Sequence, residues 1–338
     1  MNLSDSKYAG FALVREMMDT IEVVKSFDVI AAQAFADEIR ANGRLFLTGE
    51  GSSRIFPAKN AIRKALTWGT DLCIATDGSR QAAQYDLSSH AFFCASNSGR
   101  TKEVVLLARK IAEAGNPYRY CLTANNDTIL EKECTRSLVL SCGWEEAVAA
   151  TKSVVEQALV YESIVRKIAG KSPAAMLEGL EEKIEEALTL SIPSDIVKAA
   201  AGAPTIYFAG YNDGVAEELT LKTNEITRKK SDFLEGTYAV HGIEEVMDAR
   251  DVVFVVDPIE EEIEKFREVL VDGVGLKVVA IANRSTPFPT IEVPDAGESA
   301  PYAYLCAGWN LLVEIGLELG INLDKPERAR KVGNEFTG

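Results

Sequence analysis

One long pattern occurs twice in this chain, and the repetition limits the possible fold more than any other feature. Apolar, strand-like segments alternate with helical segments over residues 44–168, and the alternation starts again near residue 205. The segment LFLTG at 45–49 corresponds to IYFAG at 206–210, and YCLTAN at 120–125 corresponds to VAIAN at 279–283. Strands alternating with helices imply crossover connections and a parallel sheet covered on both faces. The sequence therefore predicts an α/β protein built by tandem duplication of one doubly wound domain.

We expect each half to form a flavodoxin-like domain with a mainly parallel five-stranded sheet. The first half contains predicted strands at 45–48, 71–76, 90–95, 118–123 and 137–141, followed by a long apolar helix at 147–168. The second half contains predicted strands at 205–209, 251–256, 277–282 and 289–293, followed by a long apolar helix at 301–319.

These patterns define the predicted domains. They are an N-terminal helix with the first domain at 1–172, a helical linker at 173–189, the second domain at 190–331 and a tail at 332–338. The amphipathic stretch at 8–27 is expected to pack as an extra helix on the first domain.

Composition excludes several classes of function. A formal net charge of −15 with no basic block argues against nucleic-acid binding. The six cysteines show no C-x-x-C pairing, and with two histidines a zinc site of ordinary composition is not expected. No segment resembles a signal peptide or a membrane span. We expect a cytoplasmic protein with reduced thiols, no metal or other cofactor, and no membrane or nucleic-acid partner.

The segment SNSGRT at 96–101 carries most of the functional information. It follows a predicted buried strand and precedes a helical pattern that starts at Lys102. Hydroxyls and backbone N–H groups at a strand-to-helix turn can hold a phosphate or a similar anion. The alternative is an ordinary helix cap formed by Ser98 or Thr101.

A second loop with small polar residues follows the first predicted strand. Its residues Gly51, Ser52 and Ser53 open the next helix. In a flavodoxin-like sheet the first and third strands are neighbours, and a crevice lies at their carboxyl ends. Two donor-rich loops at that position predict a ligand site. The second half has Asp257 and Glu260 at the corresponding place, so one principal anion site is expected, in the first domain.

These motifs resemble the sugar isomerase (SIS) domain. The resemblance rests on GxGSS at 49–53, SxSGxT at 96–101 and EAVAATKS at 146–153. Over about 26–333 the chain is similar to double-SIS proteins, which include the isomerase half of glucosamine-6-phosphate synthase and stand-alone glucosamine-6-phosphate deaminases. No amidotransferase domain precedes the motifs, so glutamine-dependent synthesis is not expected.

The resemblance implies roles for individual residues. The phosphate ligands would be Ser53, Ser96, Asn97, Ser98 and Thr101, with Asn97 standing where relatives commonly have glutamine. The residues lining the sugar would be Gly51, Ser52, Val148, Ala150 and Lys152. The catalytic residues would be Glu225, His241 and Lys331, with His241 reaching the site of the neighbouring subunit in a homodimer. Ile243 departs from the family, which has proline there; the roles of Arg54 and Arg100 stay open.

The implied chemistry begins with opening of the sugar ring, which a histidine titrating near neutrality can assist. A shielded glutamate then moves a proton between C1 and C2, and a lysine stabilises the developing negative charge. An amine at C2 would give an enolamine, whose imine form water hydrolyses to release ammonia. Without the family context, Glu225, His241 and Lys331 would be interpreted as a surface carboxylate, a structural histidine and an exposed tail residue.

The resemblance implies an isomerase or deaminase that acts on a sugar 6-phosphate, with an amino sugar as the expected substrate. The alternatives are a fructosamine-phosphate deglycase, a simple ketol isomerase and a non-catalytic sugar-phosphate sensor. The motifs leave open which sugar binds and whether nitrogen is released.

Overall fold

The structure is a computed structural model that describes residues 1–331 and 333–337. The first half contains the strands β1 (Arg44–Gly49), β2 (Cys73–Gly78), β3 (Ala91–Ala95), β4 (Arg119–Thr123) and β5 (Arg136–Val139). Its helices are α1 (Ser6–Ala9), α2 (Ala12–Lys25), α3 (Val29–Gln33), α4 (Ala36–Asn42), α5 (Ile55–Thr67), α6 (Ser79–Ala82), α7 (Lys102–Glu113), α8 (Ile129–Glu133) and α9 (Lys152–Ile168).

The second half contains the strands β6 (Thr205–Gly210), β7 (Lys230–Glu235), β8 (Val252–Val256), β9 (Lys277–Ala282) and β10 (Thr290–Glu292). Its helices are α10 (Leu180–Thr189), α11 (Ser194–Gly202), α12 (Val215–Lys222), α13 (Ile263–Phe266) and α14 (Ala300–Glu318). Segments of π-helix follow α12 at Thr223–Thr227 and α13 at Arg267–Val274. No helix of the described residues is long and apolar enough to cross a membrane.

Both sheets have the same topology. The first is a five-stranded sheet in the order β2-β1-β3-β4-β5, and the second has the order β10-β9-β8-β6-β7. Read from its other edge, the second sheet repeats the order of the first. Every pairing is parallel, with Thr48 opposite Cys94 in the first sheet and Gly210 opposite Val256 in the second. The predicted fold class, two tandem flavodoxin-like domains, is therefore confirmed.

The sequence pattern misses one strand, β7. This strand lies at the edge of the second sheet and pairs only with β6. In its sequence, KSDFLE, the charged residues Lys230, Asp232 and Glu235 are exposed and Leu234 is the one buried residue. An edge strand needs few apolar residues because it packs on one side only, so its sequence differs little from that of a polar loop.

Buried apolar residues position α7, which follows β3, and α12, which precedes Glu225. Val104 and Val105 of α7 pack against Cys94 and Cys121 of the first sheet. In the second half, α12 packs against α14 at Gly308, where a Cβ atom would lie 2.3 Å from the nearest side-chain carbon of Leu219. The absence of a side chain at this glycine lets the two helices approach closely.

The chain forms two compact units. The unit with the first sheet contains Glu22–Glu146, Ala150–Glu178 and the chain from Arg328; the other contains Met1–Ile21, Ala147–Ala149 and Gly179–Glu327. The predicted start of the tail at residue 332 lies outside the described residues.

The N-terminal segment does not pack where we expected. Met1–Ile21 belong to the unit of the second sheet, and the Asp324 carboxylate accepts hydrogen bonds from the N–H groups of Ala12 and Leu13 at 2.8 and 2.9 Å. The amphipathic pattern predicts that one face of this segment is buried, but it does not specify the surface that buries it.

Candidate functional site

The loop after β3 forms a cluster of hydroxyl groups. Ser96 is 2% exposed, and its Oγ lies 2.9 Å from Thr101 Oγ1 and 3.5 Å from Ser98 Oγ. Thr101 is the residue before α7, but its side chain makes no capping hydrogen bond to the helix, and Ser98 Oγ accepts from the N–H of Arg100, which precedes the helix. The hydroxyls of this loop are therefore not helix caps.

Gly99 allows this loop to turn tightly. Its φ angle is +63°, and a Cβ atom at this position would lie 2.3 Å from Thr128 Cβ. Only glycine avoids both the left-handed strain and the steric overlap.

The loop after β1 starts beside the end of β3, where the other polar loop begins. A Cβ atom on Gly49 would lie 2.9 Å from the Ser53 carbonyl oxygen and 3.0 Å from that of Ala95. The next residues form a 3₁₀ turn, Gly51–Ser53, in which Ser52 is buried. The structure thus brings together the two polar loops that the sequence placed beside one crevice. The role of Gly51, Ser52 and Ser53 in binding stays a prediction.

Two charged residues, Glu50 and Arg54, lie in the loop after β1. Glu50 accepts a hydrogen bond from the Ser79 N–H at 2.9 Å, and desolvation by burial raises the pKa of Glu50 above its usual value. Arg54 lies near Glu50, and no described residue accepts a hydrogen bond from its buried Nε.

Asn97 makes a polar contact that the sequence did not indicate. Its Nδ2 donates to Glu145 Oε2 at 2.8 Å, while its Oδ1 is buried with no hydrogen-bond partner among the described residues. The backbone is held separately, because the Asn97 carbonyl accepts from the Ala124 N–H and from Asn125 Nδ2, both at 3.0 Å.

Glu145 connects several parts of the site, and the sequence pattern does not single it out. It is fully buried and accepts hydrogen bonds from the Thr151 N–H at 2.7 Å and from Ser153 Oγ at 2.6 Å. The neighbouring Glu146 is exposed. Two adjacent glutamates before a run of small residues look alike in sequence, and only the tertiary structure distinguishes them.

Lys331 lies beside the same carboxylate. Its Nζ is 3.9 Å from Glu145 Oε2, and its side chain is 18% exposed. It is therefore not a freely solvated tail residue.

The last described residues of the chain run along the loop after β3. Glu335 forms an antiparallel bridge with Thr101, and the Phe336 N–H donates to the Arg100 carbonyl at 2.9 Å. Beside this tail lies a polar groove of about 580 Å³, with Ser98, Trp144 and Phe336 in its lining. These contacts hold the C-terminal segment against the predicted phosphate loop.

The remaining residues predicted to line the sugar lie between β5 and the start of α9. Val148 and Ala150 are half-buried in this irregular segment, and Lys152 is buried at the first position of α9. Their contact with a sugar stays a prediction.

A second group of charged residues lies at the end of α12. Lys222 is fully buried, with its Nζ 2.8 Å from Glu225 Oε2 and 3.3 Å from Glu218 Oε1. Burial alone would lower the pKa of Lys222, but the two carboxylates raise it above its usual value. Glu225 itself is 28% exposed and sits in the π-helical turn, a feature that is frequent at functional sites. Glu225 is therefore an ion-paired, partly shielded carboxylate.

His241 lies in the same unit as Glu225 but not in a buried position. It follows the 3₁₀ turn Tyr238–Val240, is exposed, and its ring has no hydrogen-bond partner among the residues that the structure describes. The alternative of a half-buried structural histidine does not fit this position. Within the described ranges, no cluster of His, Cys, Asp and Glu side chains could hold a metal ion.

Comparison with known proteins identifies the domain. Residues 38–167 match the family model of the SIS domain. The first half of the chain therefore contains a SIS domain. The matched range contains both polar loops, Glu145 and most of α9. No curated protein sequence matches the chain.

Solved structures extend the likeness of this SIS-domain protein to both halves. The C-terminal domain of glucosamine-fructose-6-phosphate aminotransferase from Francisella tularensis has a TM-score of 0.78 at 18% identity, covering 95% of this chain and 100% of that one. Glucosamine-6-phosphate deaminase from Thermotoga maritima has a TM-score of 0.73 at 20% identity, with 97% and 99% covered. Tagatose-6-phosphate ketose/aldose isomerase from Escherichia coli has a TM-score of 0.76 at 17% identity, with 96% and 99% covered. At these identities the likeness establishes the fold.

Proposed function

We propose that this SIS-domain protein is a phosphosugar isomerase that binds a sugar 6-phosphate at the two polar loops of its first half. The observation that carries the proposal is that both loops start at the carboxyl ends of neighbouring parallel strands, where Gly49 of β1 closely approaches Ala95 of β3. Ligands of open α/β sheets bind at such a point. The hydroxyls of Ser96, Ser98 and Thr101 lie within one loop there and do not cap a helix.

In the proposed mechanism, Glu225 is the base that moves a proton between C1 and C2 of the open-chain sugar. The Lys222 ammonium, 2.8 Å away, forms an ion pair with this carboxylate and fixes its position. His241 would assist ring opening, since its exposed ring is free to meet a ligand or a second subunit. Lys331 would stabilise the negative charge that develops on the substrate oxygen.

We further propose an amino-sugar phosphate as the substrate, with loss of ammonia after isomerisation. The deaminase from Thermotoga maritima among the structural relatives supports this choice, whereas the ketose/aldose isomerase from Escherichia coli supports isomerisation alone. A fructosamine-phosphate deglycase would use the same base. A non-catalytic sensor is the alternative of another class, and the buried Lys222 between two carboxylates argues against it, because phosphate binding does not require such a pair.

The test is a panel of phosphorylated aldoses, ketoses, 2-amino sugars and fructosamines, with ketose, ammonia and released amine measured separately. We expect turnover of at least one 6-phosphate and none of the matching unphosphorylated sugar. Binding of sugar phosphates without any turnover would favour the sensor, and turnover of unphosphorylated sugars would contradict the proposed phosphate site.

We also propose a homodimer in which His241 of each subunit serves the site of the other. Mixing inactive His241→Ala protein with inactive Glu225→Gln protein, under conditions of subunit exchange, tests this arrangement. Half of the randomly mixed dimers would be mixed, and each would contain one complete site, so roughly a quarter of the wild-type activity should return. If exchanged subunits stay inactive, both residues serve the site of their own chain.

A further inference from the structure

The buried Glu145 carboxylate touches three parts of the first-half site that are distant in sequence. It accepts from Asn97 Nδ2 at 2.8 Å in the loop after β3, from the Thr151 N–H at 2.7 Å before α9, and lies 3.9 Å from Lys331 Nζ. Ser153 Oγ of α9 donates to it at 2.6 Å. A fully buried carboxylate needs partners of this kind, but these partners include two residues predicted to touch substrate.

The chemistry of a carboxylate determines how the Asn97 side chain is oriented. An ionised carboxylate only accepts hydrogen bonds, so the amide must turn its NH₂ group towards Glu145. The Oδ1 atom then points away from Glu145, and it is buried without a partner among the described residues. A buried acceptor of this kind is costly unless a ligand donates to it.

We propose that Glu145 is a positioning residue that turns Asn97 and Lys331 towards the sugar rather than towards the phosphate. Asn97 Oδ1 would accept a hydrogen bond from a hydroxyl or amine of the bound substrate, and Lys331 would be held at the sugar end. The assignment rests on the proposed function, because it requires a sugar phosphate in the crevice. Asn97 is then a ligand of the sugar, in contrast to its expected role as a phosphate donor.

Removal of the Glu145 charge should change the affinities for inorganic phosphate and for a hydroxyl-bearing ligand in different ways. A negative charge beside an anion loop weakens anion binding, so its removal should leave inorganic phosphate bound equally or more tightly. Removal should instead weaken a ligand that has hydroxyl groups, because an amide at position 145 no longer forces Asn97 to present its oxygen. Sorbitol 6-phosphate, an open-chain polyol phosphate with no carbonyl to isomerise, is a suitable probe.

Glu156 provides a matched control. It is 3% exposed and accepts from the N–H groups of Ser141 and Cys142, both at 2.8 Å, at the other end of the segment that contains Glu145. Among the described residues, the hydrogen bonds of Glu156 come from Ser141 and Cys142 and not from the loop after β3. Glu145→Gln and Glu156→Gln therefore remove equivalent buried charges, but only the first affects the site.

In titration calorimetry we expect Glu145→Gln to bind sorbitol 6-phosphate about tenfold more weakly than the wild type, with inorganic phosphate unchanged or tighter. In turnover assays kcat/KM should fall about 10- to 100-fold. Glu156→Gln should lower thermal stability without changing either affinity. Equal effects of the two variants, or an equal loss of both ligands in Glu145→Gln, would overturn the proposal.

A milder variant covers the case in which Glu145→Gln does not fold. Ser153→Ala removes one donor to Glu145 and should weaken sorbitol 6-phosphate binding a few-fold, again without loss of phosphate binding. No change for the sugar ligand in Ser153→Ala, with Glu145→Gln unfolded, would also count against the role of Glu145. If the wild type binds both probes but turns over no sugar phosphate, the proposed function fails while the binding comparison still decides the role of Glu145.

Discussion

The two halves share one strand order but differ at the end of the third strand. In the first half, β3 leads into a hydroxyl-rich turn whose Gly99 has a φ angle of +63°, and α7 follows directly. In the second half, β8 leads into Asp257, with a φ angle of +45°, and Pro258. The Asp257 carboxylate pairs with Arg284 Nη1 at 2.8 Å. The corresponding crevices of the two halves thus differ: the first has hydrogen-bond donors, and the second has a neutralised ion pair.

The regions after the first strand differ as well. The first half has the 3₁₀ turn Gly51–Ser53, whereas the second has α12, whose end carries the buried Lys222 between Glu218 and Glu225. A doubly wound domain supplies the crevice, but the loop residues decide which chemistry occurs there. The first half therefore has the hydroxyl-rich loop expected of an anion site, and the second half has an ion-paired carboxylate.

The largest expected effect separates binding from chemistry. Glu225→Gln should lower kcat by about 10²–10⁴-fold, because an amide cannot accept the C1–C2 proton. Affinity for sorbitol 6-phosphate, measured by calorimetry, should stay within about threefold of the wild type, because Glu225 is not among the proposed phosphate ligands. Turnover near the wild-type rate would remove Glu225 from the mechanism.

A pair of glycine variants compares the turns of the two halves. Gly99→Ala should lower the free energy of unfolding by about 2–4 kcal/mol, because left-handed strain adds to the overlap with Thr128. Gly236, after β7, has a φ angle of +57° and open space at its Cβ position, so Gly236→Ala should cost about 1–2 kcal/mol. Denaturant unfolding of both variants measures the difference. Equal costs would mean that contact with Thr128 does not constrain the first-half turn.

The buried charge of Lys222 in the second half should make the free energy of unfolding depend on pH in the alkaline range. The carboxylates raise the pKa of Lys222 in the folded state, although burial opposes this shift. Protonated Lys222 makes its full contribution to the free energy of unfolding below the unfolded-state pKa of about 10.4. Above that pH the contribution is lost at about 1.4 kcal/mol per pH unit, until the folded-state pKa is reached. Denaturant unfolding from pH 9 to 11 should show a steeper loss in the wild type than in Lys222→Met. Parallel curves would contradict the raised pKa.

The smallest expected effects compare the two crevices directly. Ser98→Ala should raise KM about threefold to tenfold with little change in kcat, because the phosphate is held alike in the ground state and the transition state. Asp257→Asn, at the corresponding loop of the second half, should leave KM unchanged. Steady-state kinetics on the substrate found in the panel measures both. A raised KM in Asp257→Asn alone would place the anion in the second half.

Several elements follow from local sequence patterns because they depend on neighbouring residues. The helix α7 shows helical spacing and begins at the residue expected, Lys102, and the strands β3 and β8 are continuous apolar runs. Local patterns do not predict the edge strand β7, because it buries little apolar surface. They also do not predict the packing of Met1–Ile21 in the unit of the second sheet, since an amphipathic pattern does not specify which surface covers the apolar face of the helix.

The duplicated α/β architecture and the two polar loops were determined by the sequence itself, because hydrophobic period and small turn residues are properties of short segments. Tertiary structure alone decided that Glu145 is buried and Glu146 exposed, and that Lys331 lies 3.9 Å from that buried carboxylate. It also decided that Lys222 sits between two carboxylates. These contacts depend on which groups lose water when segments distant in sequence pack together, and that desolvation is a property of the folded chain.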